Sequence, residues 1–176
     1  TAMRIVAVTL LTDDHDLSSF TCGAAPWQKE LSDYLIENAL AEQQQGLNKT
    51  HLFLDNDDTC VGYASVLAAQ IETRQAKAWL PPFKKPRYAH SPALLVGRLA
   101  VRKEFQREGN GRYILEHIRH MARSADVGYR FLVLDVDHRN DALAFYEREG
   151  FSRIIEKPNQ KMLKMAYDLY AEEEES

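Results

Sequence analysis

The chain reads as one mixed α/β domain, and three observations carry that reading. Short β-branched runs are interleaved with segments of helical period, two apolar runs are joined by a polar turn, and no linker or repeat divides the 176 residues. A chain of that length buries most of its apolar surface without disulfide or metal staples. Apolar residues make up 45% and charged residues 27%, a globular balance, and no apolar run approaches the ~20 residues of a membrane span. The sequence therefore predicts a single domain over 1–171, a short acidic tail over 172–176 and no membrane partner. With no basic-then-apolar leader, the expected location is cytoplasmic.

The elements follow in order. Arg4 to Leu11 (RIVAVTLL) is aliphatic and β-branched and ends at Thr12-Asp13-Asp14, a strand and its turn. From Pro26, the residues Trp27, Leu31, Tyr34, Leu35 and Ala39 recur at helical spacing up to Gly46, which predicts one amphipathic helix of about five turns. His51 to Leu54 and Cys60 to Ile71, joined through Asn56-Asp57-Asp58, predict an antiparallel hairpin. Trp79 to Pro92 holds four of the six prolines and has no period, so it reads as a loop. Ala93 to Val101 (ALLVGRLAV) is a buried strand interrupted at Gly97-Arg98. Gly111 to Ala125 then places Ile114, Leu115, Ile118, Met121 and Ala122 on one helical face. Tyr129 to Val136 reads as a strand, Asp141 to Glu149 as a short helix stopped by Gly150, and Phe151 to Ile155 and Met162 to Leu169 as two further strands.

The net charge is −4, but Glu172 to Glu175 supply four of the negatives, so the body is neutral. A neutral body offers no global field for nucleic acid, and Lys84-Lys85-Pro86-Arg87 is the one basic cluster. Cys22 and Cys60 are too few and too far apart for a disulfide framework or a cysteine zinc site, and both are expected reduced and partly buried. His117 and His120 lie three apart on a helix, but no third ligand accompanies them, so no metal is expected. Cys22 has no adjacent base that would make it an acyl-carrying nucleophile.

The chemistry concentrates in VRKEFQREGNGR, from Val101 to Arg112. Backbone amides in a glycine-rich loop that opens a helix, with the helix dipole behind them, form an anion site of the kind that takes phosphate. A Walker A loop ends in Gly-Lys-Ser/Thr, whereas Gly111 is followed by Arg112 and Tyr113. A Rossmann fingerprint needs a third small residue where Ile114 stands. What remains is Gln-x-x-Gly-x-Gly between a strand and a helix, with Arg107 and Arg112 able to pair with phosphate oxygens.

LLVGRLAV, the QREGNG loop and NDALAFYEREGF, about thirty residues further on, together resemble the GNAT family of acyl-CoA-dependent N-acyltransferases over roughly Ala93 to Ile154. The resemblance implies a mostly antiparallel central sheet flanked by helices, acetyl-CoA as co-substrate and direct transfer to an amine in a ternary complex. It places the acetyl-CoA pyrophosphate on the amides of Gln106, Arg107, Glu108, Gly109, Asn110, Gly111 and Arg112. It gives the pantetheine and acetyl group to backbone groups of Leu99, Ala100 and Val101, and a further contact to Asn140. The loop's second position, often glycine in the family, is Arg107, and its fifth, usually aliphatic, is Asn110; neither change removes a backbone donor. Tyr146 matches the tyrosine that faces the CoA sulfur in many members. A phenol with a pKa of ~10, shifted slightly downward, is matched to a departing thiolate with a pKa of ~8.5. Phe145 is expected only to pack on the sheet.

Many relatives carry a carboxylate on the strand before the loop, where this chain has Arg98. Asp135, Asp137 and His138 on the next strand end read as solvated groups rather than a base. A free α-amine with a pKa of ~7.7 is about one-sixth neutral at pH 7, while a lysine lies over three pKa units, or about 4 to 5 kcal/mol, from its neutral form. The lower-pKa amine is therefore favoured. Phe20-Thr21-Cys22-Gly23, the Leu31 to Ala39 helix, Gly62-Tyr63-Ala64-Ser65, Leu80-Pro81-Pro82 and Gly97 to Val101 look like the branch of toxin-type acetyltransferases, which modify the α-amine of aminoacyl-tRNA. The neutral body ranks that acceptor below a small-molecule or peptide amine. A CoA-binding module without turnover is the reading from another class, and Tyr146 argues against it. The first helix and the Trp79 to Pro92 loop are expected to shape the acceptor pocket. Oligomeric state stays open, pairing of two copies through the C-terminal strands being ordinary for the family.

Overall fold

A computed structural model describes residues 4–74, 88–137, 140–154 and 161–171. Its seven strands are β1 (Ala7–Leu10), β2 (Lys49–Leu54), β3 (Cys60–Glu72), β4 (His90–Val101), β5 (Phe131–Asp137), β6 (Ser152–Ile154) and β7 (Met162–Asp168). They are hydrogen-bonded in the order β1-β2-β3-β4-β5-β7-β6. Helices α1 (Pro26–Glu37), α2 (Ala39–Gln44), α3 (Asn110–Ser124) and α4 (Ala142–Arg148) complete the mixed α/β fold, with a 3₁₀ turn at Lys103–Phe105. The sheet is mostly antiparallel: β1 with β2, β2 with β3, β5 with β7 and β6 with β7 all run antiparallel, while β4 and β5 are parallel. The chain divides into two compact units, Thr1–Leu67 with Val96–Ile118 and Ala68–Leu95 with Arg119–Ser176.

In the first unit the expected hairpin forms as β2 and β3. Asp55 accepts from the amides of Asp57 and Thr59, both at 2.9 Å, and Asp58 takes the left-handed conformation that the turn requires. The predicted five-turn helix is instead two helices. Asn38, at φ −121°, leaves helical geometry between them. Polar anchors on α2 account for the bend. Gln43 donates to Leu11 O (2.8 Å) and accepts from the Thr50 amide (2.9 Å), while Glu42 accepts from Tyr34 Oη (2.7 Å) and Asn48 Nδ2 (2.7 Å). A straight helix cannot serve both sets of partners. At the start of α1, Pro26 takes the first position and Gln28 Oε1 accepts from the Ala25 amide at 3.1 Å. Phe20, Cys22, Tyr34, Leu35, Leu52 and Tyr63 form this unit's core.

In the second unit Ile71, Ala93, Phe131, Val133, Ile154 and Ala166 pack together. β4 begins at His90, so Pro92, read from sequence as loop, is strand; its carbonyl accepts from the Arg130 amide at 2.9 Å, and proline lacks only the donor. β4 also runs through Gly97-Arg98 without interruption. The strand expected from Tyr129 starts two residues later, at Phe131. α4 stops where Gly150 takes φ +89°. Residues 79–87 of the proline-rich loop, with Lys84, Lys85 and Arg87, lie outside the described residues, as do His138, Ile155 and the acidic tail. Among the described residues no helix is long and apolar enough to cross a membrane.

Candidate active site

β4, the 3₁₀ turn and α3 bring the Gln106 to Arg112 loop to the end of a strand and the start of a 15-residue helix. The amides of a helix's first turn have no carbonyl one turn back to bond, and they carry the positive end of the helix dipole. Arg107, at φ +62°, and Gly109, at φ +86°, adopt left-handed conformations within the loop. Alternation of hand along a short segment turns successive N–H groups toward one concavity, a nest for an anion. The loop position that is often glycine in the family thus has a backbone that favours glycine, and Arg107 occupies it at a steric cost. A Cβ on Gly109 would meet nothing within 4 Å, so the space beside this backbone is open. The alternating backbone hand and the open space beside Gly109, ahead of a helix N-terminus, fit an anion such as the pyrophosphate of acetyl-CoA.

The side chains of the loop mostly hold the loop itself. Gln106 Nε2 donates to Cys22 O (2.7 Å) and to Val101 O (2.9 Å), so its amide is a strut between the loop, β4 and the segment before α1. Asn110, 6% exposed, donates from Nδ2 to Phe105 O at 2.8 Å, which explains a polar residue at a position usually aliphatic. Glu108 pairs with Arg4 at 2.8 Å. Arg102, buried, donates to Cys60 O (2.7 Å) and Ser19 O (3.0 Å). None of these roles was read from sequence: Cys22, Arg4, Cys60 and Ser19 lie far away in the chain, and the bonds to Val101 and Phe105 depend on how the loop folds back. Of the three strand residues assigned to pantetheine, Val101 already gives its carbonyl to Gln106, while Leu99 and Val101 are half-buried and Ala100 is buried.

Tyr146 lies on α4, 9% exposed, with ring centroids 5.2 Å from Phe145 and 5.6 Å from Phe151. Burial pushes its hydroxyl up to about 12, opposite to the small downward shift expected from sequence. Asn140 accepts from the Ala142 amide on Oδ1 at 2.9 Å, so it caps α4. At the other end, Arg119 is buried, donates to Glu149 O and lies 4.1 Å from the Tyr167 ring centroid, a cation at the negative end of α4.

The other candidates resolve as structural. Cys22 and Cys60 are free and buried; burial raises both thiols, Cys60 to about 12, which removes nucleophilic character. His117 packs edge-on against Phe53 at 5.4 Å. Among the described residues no group of three or more His, Cys, Asp or Glu could hold a metal. Asp135 and Asp137 lie 3.9 Å from Lys164 and Lys161 respectively.

Known proteins bear out the family resemblance. The family model of the acetyltransferase (GNAT) domain matches residues 47–153. A tRNA-acetylating toxin of Mycobacterium tuberculosis is 27% identical over 157 residues, covering 88% of this chain and 89% of the toxin. Among solved structures, AtaT complexed with acetyl-methionyl-tRNAfMet superposes with a TM-score of 0.72 at 24% identity, covering 92% of this chain and 94% of AtaT. A tyrosine-to-phenylalanine mutant of KacT gives 0.73 at 23% identity, covering 95% and 96%. AtaTR bound with acetyl-CoA gives 0.70 at 24%, covering 91% and 92%. With the family match spanning well over half of its length, the chain belongs to the GNAT acetyltransferases and uses acetyl-CoA as its acyl donor.

Proposed function

We propose that this enzyme acetylates the α-amine of an aminoacyl-tRNA, as a toxin-type acetyltransferase whose activity a protein antitoxin restrains. The observation that carries this reading is the likeness to a tRNA-acetylating toxin over 88% of this chain and 89% of that one. Arg98 at the position where many relatives carry a carboxylate supports it, because an amine with a pKa of ~7.7 needs little help to lose its proton. The acceptor reading that ranked first from the sequence, a small-molecule or peptide amine, rested on the neutral body and now stands second.

In this reading the amides of Arg107 to Arg112, with Arg107 and Arg112, hold the pyrophosphate, the Gln106 amide being bonded to Lys103 O at 3.4 Å, and backbone groups of Leu99, Ala100 and Val101 align the pantetheine. Asn140 keeps its cofactor role only through what its capping bond leaves available. The acceptor's neutral amine attacks the acetyl carbonyl carbon, a C–N bond forms and the C–S bond breaks. Tyr146 donates its hydroxyl proton toward the departing sulfur, and the surplus proton of the new amide returns through water to the tyrosinate. No oxidant or metal enters the balance. Tyr146, pushed up to about 12, is a neutral donor at working pH but a weaker acid than the match to a thiolate of ~8.5 called for, so its proton moves only as charge builds on the sulfur.

Transfer of labelled acetyl from acetyl-CoA should appear on aminoacyl-tRNA, with affinity for tRNA falling steeply between about 50 and 200 mM salt. Lys84→Ala/Lys85→Ala should flatten that salt dependence if the cluster meets phosphates. Salt-independent turnover of a free amino compound, with no acetylated tRNA, would return the acceptor to the small-molecule class.

A further inference from the structure

Arg98 is half-buried on β4, immediately before Leu99-Ala100-Val101. Its guanidinium carbon lies 3.6 Å from the centroid of the Tyr34 ring. A guanidinium held over an aromatic face directs its charge at the ring and leaves N–H donors for another partner. Among the described residues, no hydrogen bond or ion pair uses those donors. The platform beneath is rigid. Tyr34, 4% exposed on α1, donates to Glu42 Oε2 at 2.7 Å and accepts from Asn48 Nδ2 at 2.9 Å, and Asn48 donates to the same carboxylate oxygen at 2.7 Å. A half-buried cation thus rests on a ring that Glu42 and Asn48 hold in place, and among the described residues no acceptor takes its donors.

We propose that Arg98 selects and readies the acceptor: its guanidinium hydrogen-bonds the carbonyl oxygen of an α-aminoacyl group, and its charge keeps the adjacent α-amine neutral. This rests on the reading of the enzyme as an α-amine acetyltransferase and names the group that imposes that choice. The physics is that of a like charge. A fixed cation beside an ammonium disfavours the protonated form and lowers its pKa, so the neutral nucleophile is prepared without a base. The proton lost before attack goes to water. A lysine side chain, starting over three units above neutrality and lacking a neighbouring carbonyl, gains too little from the same arrangement. The charged and titratable groups around Arg98 are Tyr34 from α1, Glu42 from α2 and Tyr63 from β3. Glu42 is held below the usual carboxylate range, first by the Tyr34 hydroxyl, and Tyr63 is raised by burial, so neither titrates between pH 6 and 9. The acid limb of the rate therefore belongs to the acceptor amine.

The probe is methionine methyl ester, a small α-aminoacyl ester, run beside methionyl-tRNA and n-butylamine, with parent, Arg98→Met and Arg98→Lys. Arg98→Met should move the acid limb of kcat for the ester, which reports the bound amine, up by about one pH unit, roughly a tenfold loss in kcat at pH 6. Acetyl-CoA affinity and melting temperature should stay near the parent values. Arg98→Lys keeps the charge and should restore the limb while leaving a raised KM, since the planar fork is gone. The parent should discriminate strongly against n-butylamine, and Arg98→Met should narrow that gap. An acid limb that does not move in Arg98→Met, or a loss that appears equally in acetyl-CoA binding, overturns the proposal. A parent that acetylates the ester but not methionyl-tRNA would sink the tRNA reading alone, because the Arg98 comparison is made on the ester.

Discussion

Tyr146 shows how much a single residue's environment decides. Nothing in NDALAFYEREGF fixes the pKa of its hydroxyl, and the packing of Phe145 and Phe151 around it sets the direction of the shift. A hydroxyl pushed up to about 12 stays protonated at every working pH. The parent kcat should therefore show no alkaline fall from loss of the acid below about pH 10. Tyr146→Phe keeps the ring and removes the donor, so it should cost about 10²- to 10⁴-fold in kcat with acetyl-CoA affinity near the parent value. Steady-state CoA release with the best acceptor is the measurement, under conditions where chemistry limits turnover. A variant retaining a third or more of the parent kcat would leave Tyr146 as packing.

The loop is best understood as an element with a scaffold. Its donors are backbone groups, so its side chains are free to shape it, and Gln106 and Asn110 do so by reaching three carbonyls, those of Cys22, Val101 and Phe105. Gln106→Met keeps volume but releases two of those bonds, and acetyl-CoA should bind roughly tenfold more weakly, in line with about 1 kcal/mol for a typical hydrogen bond. Gly109→Val is more severe. The side chain would enter the open space beside the backbone and force a β-branched residue to φ +86°. Calorimetry should detect no acetyl-CoA binding to Gly109→Val in a protein whose circular dichroism still shows the native fold. If that variant binds like the parent, the anion site lies elsewhere.

Over the whole molecule, buried acids that ionise only at high pH tie stability to alkalinity. Cys60 rises from an ordinary 9 to about 12, Tyr146 from 10 to about 12, and burial raises Tyr63 as well. Each group loses its proton more readily in the unfolded chain, so its contribution is complete below its unfolded pKa, 9 for Cys60 and 10 for the tyrosines, and is lost as pH rises from there through the folded value. On the order of 3 kcal/mol per group is at stake at the top of that window. The thermal midpoint should hold from pH 7 to 8.5 and then fall, and Cys60→Ala should flatten the first part of the fall between pH 9 and 10. Parallel curves for parent and variant would remove Cys60 from the account.

Local chemistry alone specified the hairpin through Asn56-Asp57-Asp58, the apolar face of α3, the stop at Gly150 and the glycine loop ahead of a helix. Turn residues, hydrophobic period and glycine backbone freedom act over a few neighbours, so all four were legible in the sequence, as were the three motifs that mark the GNAT family. The break at Asn38 was not legible, because it follows from Gln43 reaching Leu11 O and the Thr50 amide, partners that only the folded chain brings near. The same holds for Pro92 in β4, which depends on the Arg130 amide finding its carbonyl, and for Gln106 as a strut to Cys22. The upward shift at Tyr146 and the stacking of Arg98 on Tyr34 are likewise tertiary facts. Sequence determined which chemistry this protein carries, because residue types and short spacings are local. Tertiary structure decided which groups are desolvated and which donors are already spent, because burial and long-range hydrogen bonds exist only once distant segments meet.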